Sequence, residues 1–329
     1  MPGYARLTGC PSRGLARRLG GATFMVRILL AAAGLNLLFA AHPGFAQVMA
    51  PEIRRIAVFK DEGGERALRS PLAIVRDGKS GELIVSSFES GEVVILDKAG
   101  SIVKRMGADA GLVTPYGVAL DNAGRIYVSE VRTGLLKIFS PGGAISDEID
   151  LAHAAGRKVS PGRITLGRDD RVYVADLDGN EILLLSSRGD FIRSMGKFDY
   201  LQKAGRESGG RIVGVSAQGK AVQLFDDGGK LLRSFGDHGD KSDRNMSFPT
   251  GFASDAKGRL WIADPFQHRL KVFSAEGEFL FNFGRLEETT ESGGFFFPVD
   301  LCFGEKGELF VLEKGAERVQ VFQVGDLKD

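Results

Sequence analysis

The stretch from Phe248 to Phe273 reads FPTGFASDAKGRLWIADPFQHRLKVF and contains a pattern that recurs along the chain. A proline precedes a short apolar strand, a glycine-containing turn follows, and a second strand, Leu260-Trp261-Ile262, leads to Asp264. The second strand is apolar on successive residues, so both of its faces should be buried. The third strand, Leu270-Lys271-Val272-Phe273, alternates and should lie nearer to solvent. The stretch therefore predicts three strands of a sheet that is packed on both faces.

Working outward, the same pattern appears six times, with one repeat lacking its proline. The prolines are separated by 44, 46, 88 and 49 residues and are Pro71, Pro115, Pro161, Pro249 and Pro298. A fourth strand closes each unit, and four antiparallel strands every 40 to 50 residues are typical of a β-propeller blade. The predicted blades are residues 70–107, 114–151, 160–196, 201–236, 248–284 and 297–322.

The two ends of the repeat region predict how the ring closes. The last unit stops after its third strand, whereas residues 53–59 form an extra strand before the first unit. Phe59 stands in that strand where Phe235 and Phe283 end their fourth strands. The sequence therefore predicts an all-β, six-bladed β-propeller over residues 47–329, in which strand 53–59 completes the last blade and leaves no open edge.

The first 46 residues differ in kind from the rest. They contain five arginines and no acidic residue, followed by an apolar stretch from Ile28 to Ala41 and the small-x-small exit Gly44-Phe45-Ala46. This pattern predicts a secretory signal peptide and export to the periplasm or the extracellular space, with no membrane span after cleavage. An uncleaved anchor is the alternative, and Met25 offers a second start that would make residues 1–24 an over-extended N-terminus.

Composition and charge exclude several classes of protein. With 43% hydrophobic and 26% charged residues, the chain is neither disordered nor collagen-like. Once residues 1–46 are removed, 38 basic and 42 acidic side chains remain, so the net charge changes from +1 to −4. A slightly acidic protein lacks the basic surface that nucleic acid requires. Cys302 is then the single cysteine, so an internal disulfide cannot form.

The fifth repeat resembles an NHL repeat, because an acid, Asp264, ends the second strand and the cluster Gln267-His268-Arg269 leads into the third. The second, third and sixth repeats resemble it more loosely through Glu130, Asp176 and Glu313, whereas Ser87 and Val215 stand where the acid belongs in the first and fourth. The resemblance implies a six-bladed propeller, a fold that hosts many activities.

The recurring acids are predicted to be structural, because a catalytic residue has no reason to appear once in each blade. Each carboxylate can accept hydrogen bonds from backbone N–H groups in the turn that follows it. Asp264 is further expected to pair with Arg269. The residues given this structural role are Glu130, Asp176, Asp264, Arg269 and Glu313.

The channel positions, two residues after each proline, lack a metal-binding set. They are Ala73, Gly117, Arg163, Gly251 and Asp300. Enzymes of similar fold include an amidating lyase with histidine-bound zinc and lactonases with calcium, and such ions need about three or about six converging ligands. We therefore expect no metal and no other cofactor, and we assign no catalytic residue.

One face of the ring is the candidate binding surface. It should hold the turns between the second and third strands and the loop containing Phe295-Phe296-Phe297, with a channel mouth at its centre. Its candidate residues are Tyr116, Arg132, Arg163, Asp178, Phe266, His268 and Asp300. Arg163 and Asp300 should tolerate substitution together without loss of folding.

These observations lead to two hypotheses about function. The first is a secreted, non-catalytic scaffold that binds another protein or an extracytoplasmic ligand through this face. The alternative is a propeller enzyme, an amidating-lyase-like lyase or a lactonase-like hydrolase, with its site at the channel mouth.

Overall fold

Six four-stranded antiparallel sheets follow one another along the chain in the computed structural model, which describes residues 50–60, 68–239, 242–288 and 294–325. The first strand of each sheet contacts the first strands of the two neighbouring sheets, so these strands surround a central channel. The predicted six-bladed β-propeller is confirmed. The predicted leader, residues 1–46, lies outside the described residues, within which no helix is long and apolar enough to cross a membrane.

The strands keep the order that the repeats predicted, first strand innermost. Blade one consists of β2 (Pro71–Arg76), β3 (Leu83–Ser87), β4 (Glu92–Leu96) and β5 (Ile102–Met106). Blade two consists of β6 (Pro115–Leu120), β7 (Ile126–Glu130), β8 (Leu135–Phe139) and β9 (Ile145–Asp150). Blade three consists of β10 (Pro161–Leu166), β11 (Val172–Asp176), β12 (Glu181–Leu185) and β13 (Phe191–Met195).

The remaining blades have the same plan. Blade four consists of β14 (Asp199–Arg206), β15 (Ile212–Gln218), β16 (Val222–Phe225) and β17 (Leu231–Phe235). Blade five consists of β18 (Gly251–Ser254), β19 (Leu260–Asp264), β20 (Arg269–Phe273) and β21 (Phe279–Phe283). Blade six consists of β22 (Pro298–Phe303), β23 (Glu308–Glu313), β24 (Arg318–Val324) and β1 (Ile53–Phe59). Short helices are α1 (Leu151–Ala155) and the 3₁₀ turns Ala108–Ala110 and Pro265–Gln267.

The ring closes as the sequence predicted, through antiparallel pairing of β1 with β24. The pairs run from Ile53 opposite Val324 to Phe59 opposite Val319, with a bulge between Arg55 and Ala57. Blade six then packs on blade one: Val85 and Leu96 of blade one share a buried cluster with Leu312, Val319 and Val321 of blade six. Because the closing blade is built from both ends of the described propeller, no blade is left with an unpaired face.

Two inner-strand glycines are required by how closely neighbouring blades approach each other. A Cβ on Gly117 would lie 2.7 Å from the backbone nitrogen of Ile164, and one on Gly251 would lie 2.5 Å from Oδ1 of Asp300. Both distances are shorter than van der Waals contact allows, so these positions have room only for hydrogen. The close approach of these strands narrows the channel at the level of Arg163 and Asp300.

The strand directions define the two faces of the ring. On the proline face lie the residues that begin the first strands, such as Pro71 and Pro298, and the turns between second and third strands, such as 265–268. On the hairpin face lie the turns between first and second strands, such as 77–82 and 255–259. The sequence-predicted binding surface corresponds to the proline face.

Candidate functional site

Three buried charged side chains from three blades meet in the channel. The ammonium of Lys203, on β14, donates to Oδ1 of Asp300, on β22, at 2.6 Å. Oδ2 of Asp300 accepts from the backbone N–H of Ile74 at 3.2 Å. Arg163, on β10, crosses the channel and donates through Nε to the carbonyl of Leu72 at 2.8 Å and through Nη2 to the carbonyl of Val299 at 3.4 Å.

This cluster contains more positive than negative charge. Arg163, Lys203 and Asp300 are 2%, 6% and 1% exposed. Lys203 is paired with Asp300, whereas Arg163 donates to backbone carbonyls and has no carboxylate within 4 Å among the described residues, so the three side chains together carry one positive charge that water does not screen. Nη1 of Arg163 is also buried and has no hydrogen-bond partner among the described residues. A buried cation with an unused donor favours an anion or a polarised oxygen nearby.

Lys203 is a channel residue that the sequence interpretation missed, because it placed blade four one residue out of register. The pairing sets Leu201 opposite Ser216 and Lys203 opposite Val215, as Pro298 lies opposite Glu313 and Asp300 opposite Leu312. Ser216, and not Val215, therefore occupies the position of the recurring acid. Aligning Ser216 with the acids would have placed Lys203 in the channel.

Burial of the channel residues also corrects the expectation that Arg163 and Asp300 can be replaced together without loss of folding. Both side chains cross to other blades and lie below the surface of the proline face. Their joint removal would leave the ammonium of Lys203 buried without its carboxylate, and an unpaired buried charge is strongly destabilising.

The rim of the proline face carries an aromatic group between blades five and six. The ring of His268 stacks parallel to Phe296 at 5.8 Å and meets Phe297 edge-on at 4.7 Å. Phe266, which is 58% exposed, contacts Phe297 at 5.8 Å. Phe295, the first residue of the Phe-Phe-Phe run, is fully buried. Phe296 and Phe297 are half-buried, so they contribute both to packing and to the rim.

His268 is held in one tautomer. Its Nδ1 lies 3.3 Å from the backbone nitrogen of Phe297, and because that N–H can only donate, Nδ1 must accept. The proton of the neutral ring is then on Nε2. Burial lowers the pKa of His268, although Asp264 and Glu288 oppose the shift. The side chain therefore presents a neutral N–H donor.

The other predicted binding residues are spread over the rim. Tyr116 is half-buried, with its ring 5.8 Å from the guanidinium carbon of Arg163, so it covers the positive end of the cluster. Phe88 meets Tyr116 edge-on at 6.2 Å. Arg132 and Asp178 are exposed, and Asp178 pairs with Lys158 at 3.0 Å. The structure thus places Tyr116 over the buried cluster and leaves Arg132 and Asp178 at the surface.

The recurring acids bind the loop that leads into their own blade, and not the turn that follows them. Asp264 accepts from the backbone N–H groups of Ser247 and Phe248 at 2.8 and 3.0 Å. Equivalent bonds join Glu130 to Val113 and Thr114, Asp176 to Ser160, and Glu313 to Phe296. Burial raises the pKa of Asp264, and its two backbone hydrogen bonds oppose that shift.

The expected pair between Asp264 and Arg269 is replaced by other contacts. Nε of Arg269 donates to the carbonyl of Gln267 at 3.2 Å, and Nη1 lies 3.7 Å from a carboxylate oxygen of Asp243. Asp243 belongs to the loop that leads into blade five, so Arg269 also contacts that loop. In blade six the acid does pair with its arginine, since Nε of Arg318 donates to Glu313 at 2.7 Å.

A second recurring contact was not evident from the sequence. A polar side chain from the third strand donates to a backbone carbonyl of the same loop in four blades. The pairs are Lys137 with Gly111, Gln223 with Lys197, Lys271 with Asp243, and Gln320 with Gly294. In blades two, five and six the loop is therefore bound by the second strand through its N–H groups and by the third strand through a carbonyl. In blade four Ser216 stands in place of the acid, and its hydroxyl bonds to the carbonyl of Lys220 instead.

The site contains no evident metal ligands or activated cysteine. Among the described residues, no three His, Cys, Asp or Glu side chains lie together as a metal would require. Burial raises the pKa of the Cys302 thiol to about 12, and the nearby Asp300 adds to the shift. Cys302 is therefore a neutral thiol at physiological pH and a poor nucleophile.

Comparison with solved structures finds a similar fold in other proteins. Virginiamycin B lyase from Staphylococcus aureus matches with a TM-score of 0.59 at 14% identity, covering 83% of this chain and 100% of the lyase. A gluconolactonase from Xanthomonas campestris matches with a TM-score of 0.63 at 14% identity, covering 84% of this chain and 98% of the other. No protein-family model and no curated protein sequence matches the chain.

At this identity the likeness shows the fold, and NHL as the name of the repeats is not confirmed. The neighbours with a stated activity correct one prediction, however. They are enzymes and include lyases, a gluconolactonase and a hydrazine synthase, which contradicts the non-catalytic scaffold and agrees better with the alternative, a propeller enzyme. The scaffold hypothesis rested on channel positions that seemed to hold one arginine and one aspartate, and it missed Lys203 and the excess positive charge.

Proposed function

We propose that this protein is an enzyme that acts on a carbonyl-bearing substrate, such as a lactone, at the channel mouth of the proline face. The observation that carries the proposal is the excess positive charge of the Arg163, Lys203 and Asp300 cluster beneath the ring of Tyr116. The lyases and the gluconolactonase that share the fold support an enzymatic function.

The charge cluster can stabilise the negative charge that develops on a carbonyl oxygen. Such charge appears both when water attacks an ester and when an elimination passes through an enolate. Arg163 need not touch the substrate, because a charge in surroundings of low polarity acts across Tyr116 with little screening. Arg163 is therefore a positioning residue that acts through its electric field.

His268 is the second group in this proposal. Its neutral ring, fixed by Phe296 and Phe297, offers the Nε2 proton to an oxygen at the rim. A preorganised donor of this kind needs no rearrangement when charge develops on the substrate. Phe266 and Phe297 supply apolar surface for the body of the substrate.

The test is an assay of the purified protein on gluconolactone, other lactones and quinupristin, with products identified by mass spectrometry. Addition of water identifies a hydrolase, and a product without added water identifies a lyase. Arg163→Gln should lower kcat by about 100-fold or more, as the loss of an oxyanion-stabilising group does. His268→Gln should lower it by about tenfold or more, since one hydrogen-bond donor is lost.

Matched controls are Arg188→Gln on an exposed hairpin-face turn and His153→Gln on the exposed side of α1, which should leave turnover unchanged. Circular dichroism and melting curves show whether Arg163→Gln is folded. If it is not, the activity of His268→Gln tests the proposed site. Absence of turnover on every substrate by folded protein would reject the proposal, as would turnover that neither substitution changes.

We further propose that the protein is exported and that its repeats are related to NHL repeats. Export rests on the pattern of residues 1–46, and kinship with NHL repeats rests on the residues around Asp264 and His268.

A further inference from the structure

The hairpin-face half of the channel contains a cavity of about 230 Å³ that the proposed function does not use. Apolar side chains from the inner strands form most of its wall, including Ile74, Val118, Ile164, Phe252 and Leu301. Residues near the ends of these strands, such as Thr165 and Cys302, also line it and are only half-buried, so the cavity is open to solvent. It is closed toward the proline face by the charge cluster.

The inner end of the cavity is positively charged. Lys203 lines it, and its ammonium donates to Asp300, its one hydrogen-bond partner among the described residues, and lies 5.5 Å from the ring centre of Phe252. Asp300 pairs with Lys203, and Arg163, which donates to the carbonyl of the adjacent Val299, keeps a positive charge without a carboxylate partner among the described residues. Arg206 at the rim is already paired with Asp227, at 2.6 Å. The ammonium of Lys203 is thus the cation available to a ligand.

The combination of an apolar wall and one buried cation selects the class of ligand. A neutral apolar molecule would leave the net positive charge of Lys203, Asp300 and Arg163 uncompensated, and a metal ion would be repelled by it. A doubly charged phosphate would exceed the single positive charge and would lose its hydration against apolar walls. An apolar cavity of about 150 Å³ accommodates benzene, so this larger one has room for a ring or a branched chain with a carboxylate.

We infer that the hairpin-face cavity binds a small organic carboxylate, with the carboxylate on the ammonium of Lys203 and the apolar body against Phe252 and Leu301. The ligand would neutralise the excess charge of the cluster and would enter from the face opposite to the proposed enzymatic site. Cys302, as a neutral thiol on the wall, contacts the body of the ligand without competing for its charge.

The experiment is a ¹⁹F NMR titration of the purified protein with 4-fluorobenzoate, compared with the neutral 4-fluorobenzyl alcohol. Benzoate should bind at least about tenfold more tightly, a difference of about 1.4 kcal/mol. Cys302→Phe, which fills the cavity, should lower the affinity for 4-fluorobenzoate at least about tenfold. Cys302→Ser, at the same position without added volume, should bind 4-fluorobenzoate with an affinity within about twofold of wild type.

Lys203→Met should abolish the preference for benzoate over the alcohol. If that variant does not fold, the comparison of Cys302→Phe with Cys302→Ser tests whether the ligand binds in this cavity. His268→Gln, on the opposite face, should bind benzoate as wild type does, which separates this site from the proposed enzymatic one. Equal affinity for the acid and the alcohol, no benzoate binding at millimolar concentration, or binding that Cys302→Phe leaves unchanged would each overturn the inference.

Discussion

Asp300 is a buried carboxylate, and each of its two oxygens is bonded to a different blade. Oδ1 accepts from the ammonium of Lys203 and Oδ2 from the backbone of Ile74. A surface ion pair contributes little to stability because water screens it, whereas breaking a buried pair leaves a charge without compensation. Removing one partner of an ion pair should therefore reduce stability more when the pair is buried than when it is exposed.

Asp300→Asn should destabilise the propeller by about 3 to 5 kcal/mol, because the buried ammonium of Lys203 would lose its counter-charge. The measurement is urea unfolding followed by circular dichroism. The matched control is Asp178→Asn, since Asp178 and Lys158 are 55% and 85% exposed in their pair, and it should cost less than about 1 kcal/mol. Similar losses in the two variants would contradict the burial argument.

At the scale of the element, blades two, five and six bind their incoming loops from two strands. Acids on the second strand hold the N–H groups of that loop, and third-strand side chains hold one of its carbonyls. Two of the four third-strand residues are lysines and two are glutamines, at equivalent positions. The element therefore needs a donor that reaches the loop, and a charge is not required.

Lys271 gives this contact a pH dependence. Burial lowers its pKa from 10.5 to about 8, partly opposed by Asp264. Between those two values the unfolded chain keeps a proton that the folded protein has lost, so the free energy of unfolding should rise with pH through this window. The expected rise is up to about 3 kcal/mol. Lys271→Gln should keep the hydrogen bond to the carbonyl of Asp243, and its free energy of unfolding should no longer rise with pH through this window.

Urea unfolding at pH 7.5 and pH 10.5 measures this difference for each variant. Lys98→Gln, on an exposed turn, is the control and should keep the wild-type dependence on pH. A rise that persists unchanged in Lys271→Gln would show that another group is responsible.

At the scale of the whole molecule, the stability of the ring depends on the pairing of β1 with β24. Ala57 and Phe59 of β1 pack against the buried cluster that joins blades one and six, and Ile53 packs against another. Without β1, strand β24 becomes an open edge and the closing blade loses part of its packing. Ring closure is thus shared between blades and is not a property of one repeat.

Deletion of residues 53–59 should cause cooperative loss of the whole propeller, seen as loss of the single thermal unfolding transition. Attaching residues 50–60 after Val324, through a turn like residues 226–230, should restore folding. The other five blades also join their third strand to their fourth strand through a short turn. Ile56→Thr is the control, since this side chain is 45% exposed at the bulge. A deletion variant that melts like wild type would refute the role of β1.

The six blades, the buried second strands and the closing strand could be predicted from the sequence, because strand pattern and turn chemistry are local and repeat along the chain. It also located Arg163 and Asp300, two residues after their prolines. The contact between Asp300 and Lys203 became evident from the folded structure, since blade four has no proline to fix its register. Which charges share a channel depends on the closed ring, where residues 97 positions apart, Lys203 and Asp300, come within 2.6 Å of each other.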